Sequence, residues 1–204
     1  MLVSSHLKRP NWTDKKNFND IDLSKNVHFD KILNNKIKRI LNSTEINHNY
    51  PNDYNIYECL SNYYNIPIEN LSIGHGATDI IFRVIGNLDI KKLYIVEPTF
   101  AMVTVYCKMH SVNYEKINSS NAFDIKNRDS AIYLVNPNGN NGQNINYSEL
   151  VNNFKYVISD EVYADFSSNF SLINNRSDNI IIIKSISKSL GLAGLRVGFS
   201  KSNK

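Results

Sequence analysis

Seven short apolar runs, LSIG, KLYIVE, VNYEKI, AIYLVN, YVISD, IIIKSI and RVGFS, punctuate the chain from Leu71 onwards. Strands that are apolar throughout, rather than at every second residue, must bury both faces. Loops or helices fill the spaces between them, and that alternation predicts an α/β fold. The expected architecture is three-layered, α/β/α, around a mostly parallel seven-stranded sheet. Two amphipathic stretches precede it. FDKILNNKIKRIL sets Ile32, Leu33, Ile37, Ile40 and Leu41 on one helical face, and NDYNIYECLSNYYN repeats the pattern with Ile56, Leu60 and Tyr64. Residues 1–49 therefore read as a helical lead-in and residues 50–204 as the domain that holds the sheet. INSSNAFDIKNRDS reads as a polar connection within it.

Composition removes several function classes. A net charge of +4 over 204 residues, with no block of lysines or arginines, gives a nucleic-acid surface no footing. The opening MLVSSHLKRPNWTDKKNF lacks the apolar centre of a signal peptide, and no stretch is long and apolar enough to span a membrane. Two cysteines, Cys59 and Cys107, lie far apart without metal-ligand spacing, which fits free thiols and a cytoplasmic chain.

What the apolar runs end on is more informative. GHGATD follows the first, EPTF the second, NPNGNNG the fourth, SDEVYADF closes the fifth and SISK the sixth. Singly, each is an ordinary turn, cap or core aromatic. Five at five strand ends converge, because ligands of open α/β sheets bind beyond the carboxyl ends of the strands. Gly74 and Gly76 precede the helix ATDIIFRVIG, whose first N–H groups, near Ala77 and Thr78, suit an anion. Ser185, Ser187 and Arg196 are further anion donors around Lys188. Asp160 suits a cationic ring nitrogen, Tyr163 a phenolic oxygen, and Phe100 the face of an aromatic ligand. An anion cradle, a lysine nucleophile, a carboxylate and an aromatic platform together describe pyridoxal phosphate.

SISKSLGLAGLRVGF resembles the lysine motif of the fold-type I pyridoxal-phosphate-dependent aminotransferases, nearest to the histidinol-phosphate aminotransferase group. The likeness runs from about Leu23 to the end. It implies that the sheet is the large domain of that fold. It also implies that Lys188 bonds the cofactor and moves the α-proton, that Asp160 pairs with the pyridine nitrogen, and that Tyr163 meets the ring's phenolic oxygen. Arg196, Ser185, Ser187 and the Gly76, Ala77, Thr78 turn would hold the phosphate, and Phe100 would stack on the ring. HNYPND resembles the segment whose tyrosine, here Tyr50, reaches the cofactor of a neighbouring subunit, which implies a homodimer with shared sites. DLSKNVHFDKI loosely resembles the family's Asn-Glu-Asn-Pro segment through Asn26. The activity implied is amino transfer between an amino acid or amino phosphate and a 2-oxo acid. A decarboxylase of the threonine-phosphate type shares these motifs, and a non-catalytic cofactor-binding module is a further alternative.

Two departures stand out. The family's loop reads Asn-Pro-Asn-Asn-Pro-Thr-Gly, and its second adjacent asparagine contacts the phenolic oxygen. NPNGNNG places Gly139 there, leaving Asn138, or Asn140, as the expected substitute. The chain also stops after RVGFSKSNK, where the family continues into a C-terminal small domain that binds the substrate carboxylate. That domain is expected to be missing.

Overall fold

A computed structural model describes residues 26–28, 30–43, 54–167 and 171–203. Two helices lead in, α1 (Lys31–Ser43) and α2 (Tyr54–Tyr64). The sheet is built from β1 (Leu71–His75), β2 (Leu93–Glu97), β3 (Tyr114–Asn118), β4 (Asn127–Val135), β5 (Phe154–Asp160), β6 (Ile180–Ser185) and β7 (Val197–Ser202). Helix α3 (Gly76–Gly86) joins β1 to β2, α4 (Met102–Met109) joins β2 to β3, and α5 (Ile186–Ser189) is a single turn after β6. All seven apolar runs are strands of one sheet, in the order β1-β7-β6-β5-β4-β2-β3.

Strands β2 to β6 pair in parallel, while β7 is antiparallel to both β6 and β1. Six strands therefore point one way and β7 alone is reversed. The consequence for position is direct. The start of β7 lies at the same sheet edge as the carboxyl ends of the other six: Gly198 pairs with Ser185 on one side and with Gly74 on the other.

Continuous apolarity follows from burial on both faces. Residues Ser130 to Val135 of β4 are buried without interruption. On one face, Ile80, Ile81 and Ile85 of α3 and Val103, Tyr106 and Cys107 of α4 pack on Leu93, Ile95, Ala131, Tyr133, Ile158 and Ile183. On the other, Ile132, Leu134, Val157, Ile180 and Ile182 meet Tyr147, Leu150 and Leu172. That second layer is thin. The connections after β3, β4 and β5 form short 3-10 turns (Ser119–Ala122, Ser148–Asn152, Ala164–Phe166) rather than helices. Helix α2 covers the β1 and β7 end of this layer through Tyr57, Leu60 and Tyr64, against Leu71 and Phe199. Helix α1, amphipathic as expected, has no buried residue: Ile32 is 70%, Ile40 62% and Leu41 54% exposed.

The crossover from β2 turns outward to β3, and the chain then returns to β4 and proceeds the other way. The gap beyond β2 and β4 is thus a topological switch point, where open sheets make a crevice.

Candidate active site

Ser185 ends β6 and caps α5. Its Oγ accepts the backbone N–H of Ser187 at 3.2 Å and donates to the carbonyl of Val197 at 2.9 Å, and the two serine hydroxyls pair at 2.9 Å. Both serines are buried. Val197 opens β7, so the bond ties the lysine-bearing turn to the strand that Arg196 precedes. Arg196 holds a left-handed backbone (φ 54°) and donates from Nη1 to the carbonyl of Ala193 at 3.0 Å, with Nη2 at 3.5 Å from that of His75. This lays the guanidinium against the start of α3. A Cβ on Gly76, itself at φ 78°, would stand 2.5 Å from Arg196 Nη2, and one on Gly198 would stand 2.4 Å from the backbone nitrogen of Ala77. Only glycines allow that approach. No side chain caps α3. The free N–H groups of its first turn, two hydroxyls and a guanidinium thus line one cradle, a donor set suited to a phosphate.

Asp160, the last residue of β5, is 3% exposed. The hydroxyl of Tyr133 donates to its Oδ2 at 2.5 Å and the N–H of Val162 to its Oδ1 at 3.2 Å. Burial pushes its carboxyl up to about 6, against the pull of those two hydrogen bonds and of the positive charge of Lys188. Burial, reinforced by the Asp160 charge, holds the Tyr133 phenol well above its ordinary range. Tyr133 therefore stays a donor, and Asp160 would welcome a cation. Tyr133 lies inside AIYLVN, where an aromatic reads as core. Only its register, opposite Ile158 and two residues short of Asp160, betrays it.

Lys188 closes on the same place. Its Nζ stands 5.5 Å from the centre of the Tyr163 ring, within cation–π range. Its carbonyl accepts the N–H of His28 at 3.0 Å, so residues 26–28 cross the lysine turn as a strap. The strap's Asn26 amide donates to the carbonyl of Gly139 at 2.9 Å. A cleft of about 500 Å³ opens between the strap, the 137–142 loop, Tyr163 and Phe166. Asn138 is buried at the switch point. Its amide donates to the carbonyl of Pro98 at 2.6 Å, and its side-chain oxygen accepts the N–H of Asn140 at 3.0 Å. It ties two loops together, a task its spacing did not disclose. Phe100 packs on the apolar cluster of α3 and α4. Tyr50 lies outside the described residues.

Asp165 and Lys184 form a brace that sequence reasoning missed. Lys184, 4% exposed at the end of β6, pairs with Asp165 at 2.9 Å, and the other oxygen of Asp165 accepts the hydroxyl of Ser189 at 2.7 Å. The carboxylate thus joins the residue before the serine cap to the residue after Lys188. Nothing in either motif marks a partner that distant in the chain. Among the described residues no cluster of metal-ligating side chains occurs, and no helix is long and apolar enough to cross a membrane.

The family model for class I and II aminotransferases matches residues 18–204. The histidinol-phosphate aminotransferase of Brachyspira hyodysenteriae is 32% identical over 168 residues, 75% of this chain and 47% of that one. The chain spans about half the length of the curated relatives it matches. Among solved structures, the L-threonine-O-3-phosphate decarboxylase of Porphyromonas gingivalis superposes with a TM-score of 0.74 at 18% identity, over 89% of this chain and 59% of that one. The histidinol-phosphate aminotransferase of Sinorhizobium meliloti in complex with pyridoxal-5'-phosphate gives 0.67 at 15% identity, over 85% and 52%. At those identities the likeness establishes the fold.

Proposed function

The chain belongs to the class I and II aminotransferase family, and from that premise we propose that it takes part in pyridoxal-phosphate-dependent amino transfer between an amino acid or amino phosphate and a 2-oxo acid, in the manner of a histidinol-phosphate aminotransferase. The observation that carries this reading is the convergence of Asp160, Lys188 and the donor cradle around Gly76 at one sheet edge. The cradle fits the group: Gly76 and Gly198, where a Cβ would collide with Arg196 and with the α3 backbone, let the donors close together, and those donors match a phosphate.

Pyridoxal phosphate supplies an aldehyde that captures amines and a ring that draws off the electron pair left when a bond at the amino carbon breaks. The chain's own residues do the rest. Arg196, Ser185, Ser187 and the first-turn N–H groups of Ala77 and Thr78 anchor the phosphate. Asp160 keeps a proton on the ring nitrogen, and Tyr133 keeps Asp160 in place. Tyr163 donates to the phenolic oxygen, with Asn138 beside it, and Phe100 packs against the ring. Lys188 Nζ would hold the cofactor through its aldehyde, and as a free amine it would take up and return the α-proton. Tyr50 is assigned to a neighbouring subunit's site. The exposed apolar residues of α1 support a homodimer, and the free thiols of Cys59 and Cys107 support a cytoplasmic setting.

Incubation with pyridoxal phosphate, borohydride reduction and peptide mapping test this directly. Label on Lys188, abolished in Lys188→Ala, is expected; label on Lys184 alone, or none, sinks it. The threonine-phosphate decarboxylase is a second reading, favoured by its TM-score. Release of carbon dioxide from an amino acid phosphate, without transfer of nitrogen to a 2-oxo acid, would select it.

A further inference from the structure

Gly139 has no conformational reason to be glycine. The positive-φ glycines are Gly76, Gly142 and Gly191, and Gly139 is not among them. Three residues on, Gly142 shows the opposite case: φ 72°, with nothing within 4 Å of the place a Cβ would take. What Gly139 lacks is room. A Cβ there would lie 2.2 Å from Cε2, 2.4 Å from Cζ and 2.8 Å from the hydroxyl oxygen of Tyr163. The phenol ring rests on the bare α-carbon.

The loop cannot back away from an added methyl. Asn26 holds the carbonyl of Gly139 at 2.9 Å, and the neighbouring Asn138 is fastened to Pro98 at 2.6 Å and to the N–H of Asn140 at 3.0 Å. Its backbone N–H bonds the carbonyl of Gln143 at 2.8 Å, and its carbonyl accepts the N–H of Gly142 at the same distance. The backbone carbonyl of Tyr163 takes the N–H of Phe166 at 3.1 Å, while its ring is held by packing alone, at the margin of the α3 and α4 cluster and beneath Lys188 Nζ. The ring turns on two side-chain torsions. Between a pinned loop and a rotating ring, the ring moves.

We propose that Gly139 is a positioning residue that acts through Tyr163: its empty side-chain space seats the phenol ring and so fixes the ring against Lys188. An asparagine there, as in the loop this segment resembles, would then evict the ring rather than add a useful donor. The inference rests on the proposed cofactor reading only for one of its two probes.

The test is a double-mutant cycle on the full chain, with wild type, Gly139→Ala, Tyr163→Leu and the double variant. The first readout is the pyridoxal phosphate concentration that half-saturates borohydride-trapped label on Lys188. Gly139→Ala should raise it about tenfold, the scale of one lost cation–π or hydrogen-bond contact. In the Tyr163→Leu background the same substitution should change it less than about twofold. The second readout needs no cofactor: nitration of Tyr163 by tetranitromethane in the apoprotein, mapped by mass spectrometry, should quicken severalfold in Gly139→Ala. An unchanged half-saturation, an equal loss in the Tyr163→Leu background, or unchanged nitration overturns the proposal. Should Gly139→Ala fail to fold by circular dichroism, folding of the double variant supports the seat, and failure of both overturns it. If wild type captures no cofactor at Lys188, the functional reading falls and nitration alone decides this one.

Discussion

Asp160 shows how one residue can serve a site and burden the fold. Its folded carboxyl, at about 6, lies above the ordinary 3.8, so the native chain binds that proton more tightly than the unfolded chain does. Below about pH 4 both states are protonated and the contribution is fully present; as pH rises through about 6 it is lost. At neutral pH the ionised, buried carboxylate then costs up to about 3 kcal/mol in the absence of a cation. Asp160→Asn should therefore be more stable than wild type above pH 6 without cofactor, with the gap closing towards pH 4. Urea unfolding at several pH values reads it, and parallel curves for the two proteins would refute it. The same substitution should weaken cofactor capture, since a neutral amide does not hold a ring proton. Asp160, Lys188 and Arg196 could be singled out in the sequence because five polar clusters close successive apolar runs and because SISKSLGLAGLRVGF resembles a lysine motif. Tyr133 could not, because a phenol whose work is one hydrogen bond looks like any other aromatic of a core strand.

At the scale of elements, the turn Ala164–Phe166, strand β6 and turn α5 are coupled through the Asp165 brace. Removing the Asp165 carboxylate leaves buried Lys184 with only the field of Glu161 and the Tyr64 ring, which costs up to roughly 3 kcal/mol. Asp165→Asn should lower stability on that scale by thermal or chemical unfolding, and Lys184→Met in the same chain should recover most of the loss. If the double variant is no more stable than the single one, the brace does not carry that energy. The elements themselves divide by how local their causes are. Every strand was readable as a run between loops or helices; continuous apolarity marks the central ones, whereas the edge strand β3 buries only Ile117. The direction of β7 was not readable, because RVGFS has the same apolar pattern whichever way it runs. The expectation of helices on both faces was met through α3 and α4 on one of them; on the other, α2 covers the β1 and β7 end, and segments such as SSNAFD and SELVN are too short and polar to do more than turn.

For the whole molecule, the unburied face of α1 is the feature with the widest reach. A helix whose Ile32, Ile40 and Leu41 all face water gains nothing from its own amphipathicity unless something covers it. In the proposed homodimer that something is a second copy. Ile32→Lys with Ile40→Lys should shift the particle to half its mass in light scattering while leaving the far-ultraviolet spectrum intact; an unchanged mass would place the contact elsewhere. The reversed strand β7 carries a different consequence. Ser185 pairs with Gly198 at the last rung of the β6–β7 ladder, so the turn that carries Lys188 leaves the sheet beside the point where the chain of Arg196 enters it. Sheet pairing thus brings to one edge the two segments that carry the proposed nucleophile, Lys188, and the proposed phosphate anchor, Arg196. Gly194, in the stretch between them, has open space at its side-chain position. A side chain fits there, whereas a Cβ at Gly191 would stand 2.2 Å from the carbonyl oxygen of His28, so the stretch accepts bulk at one glycine and refuses it at the other.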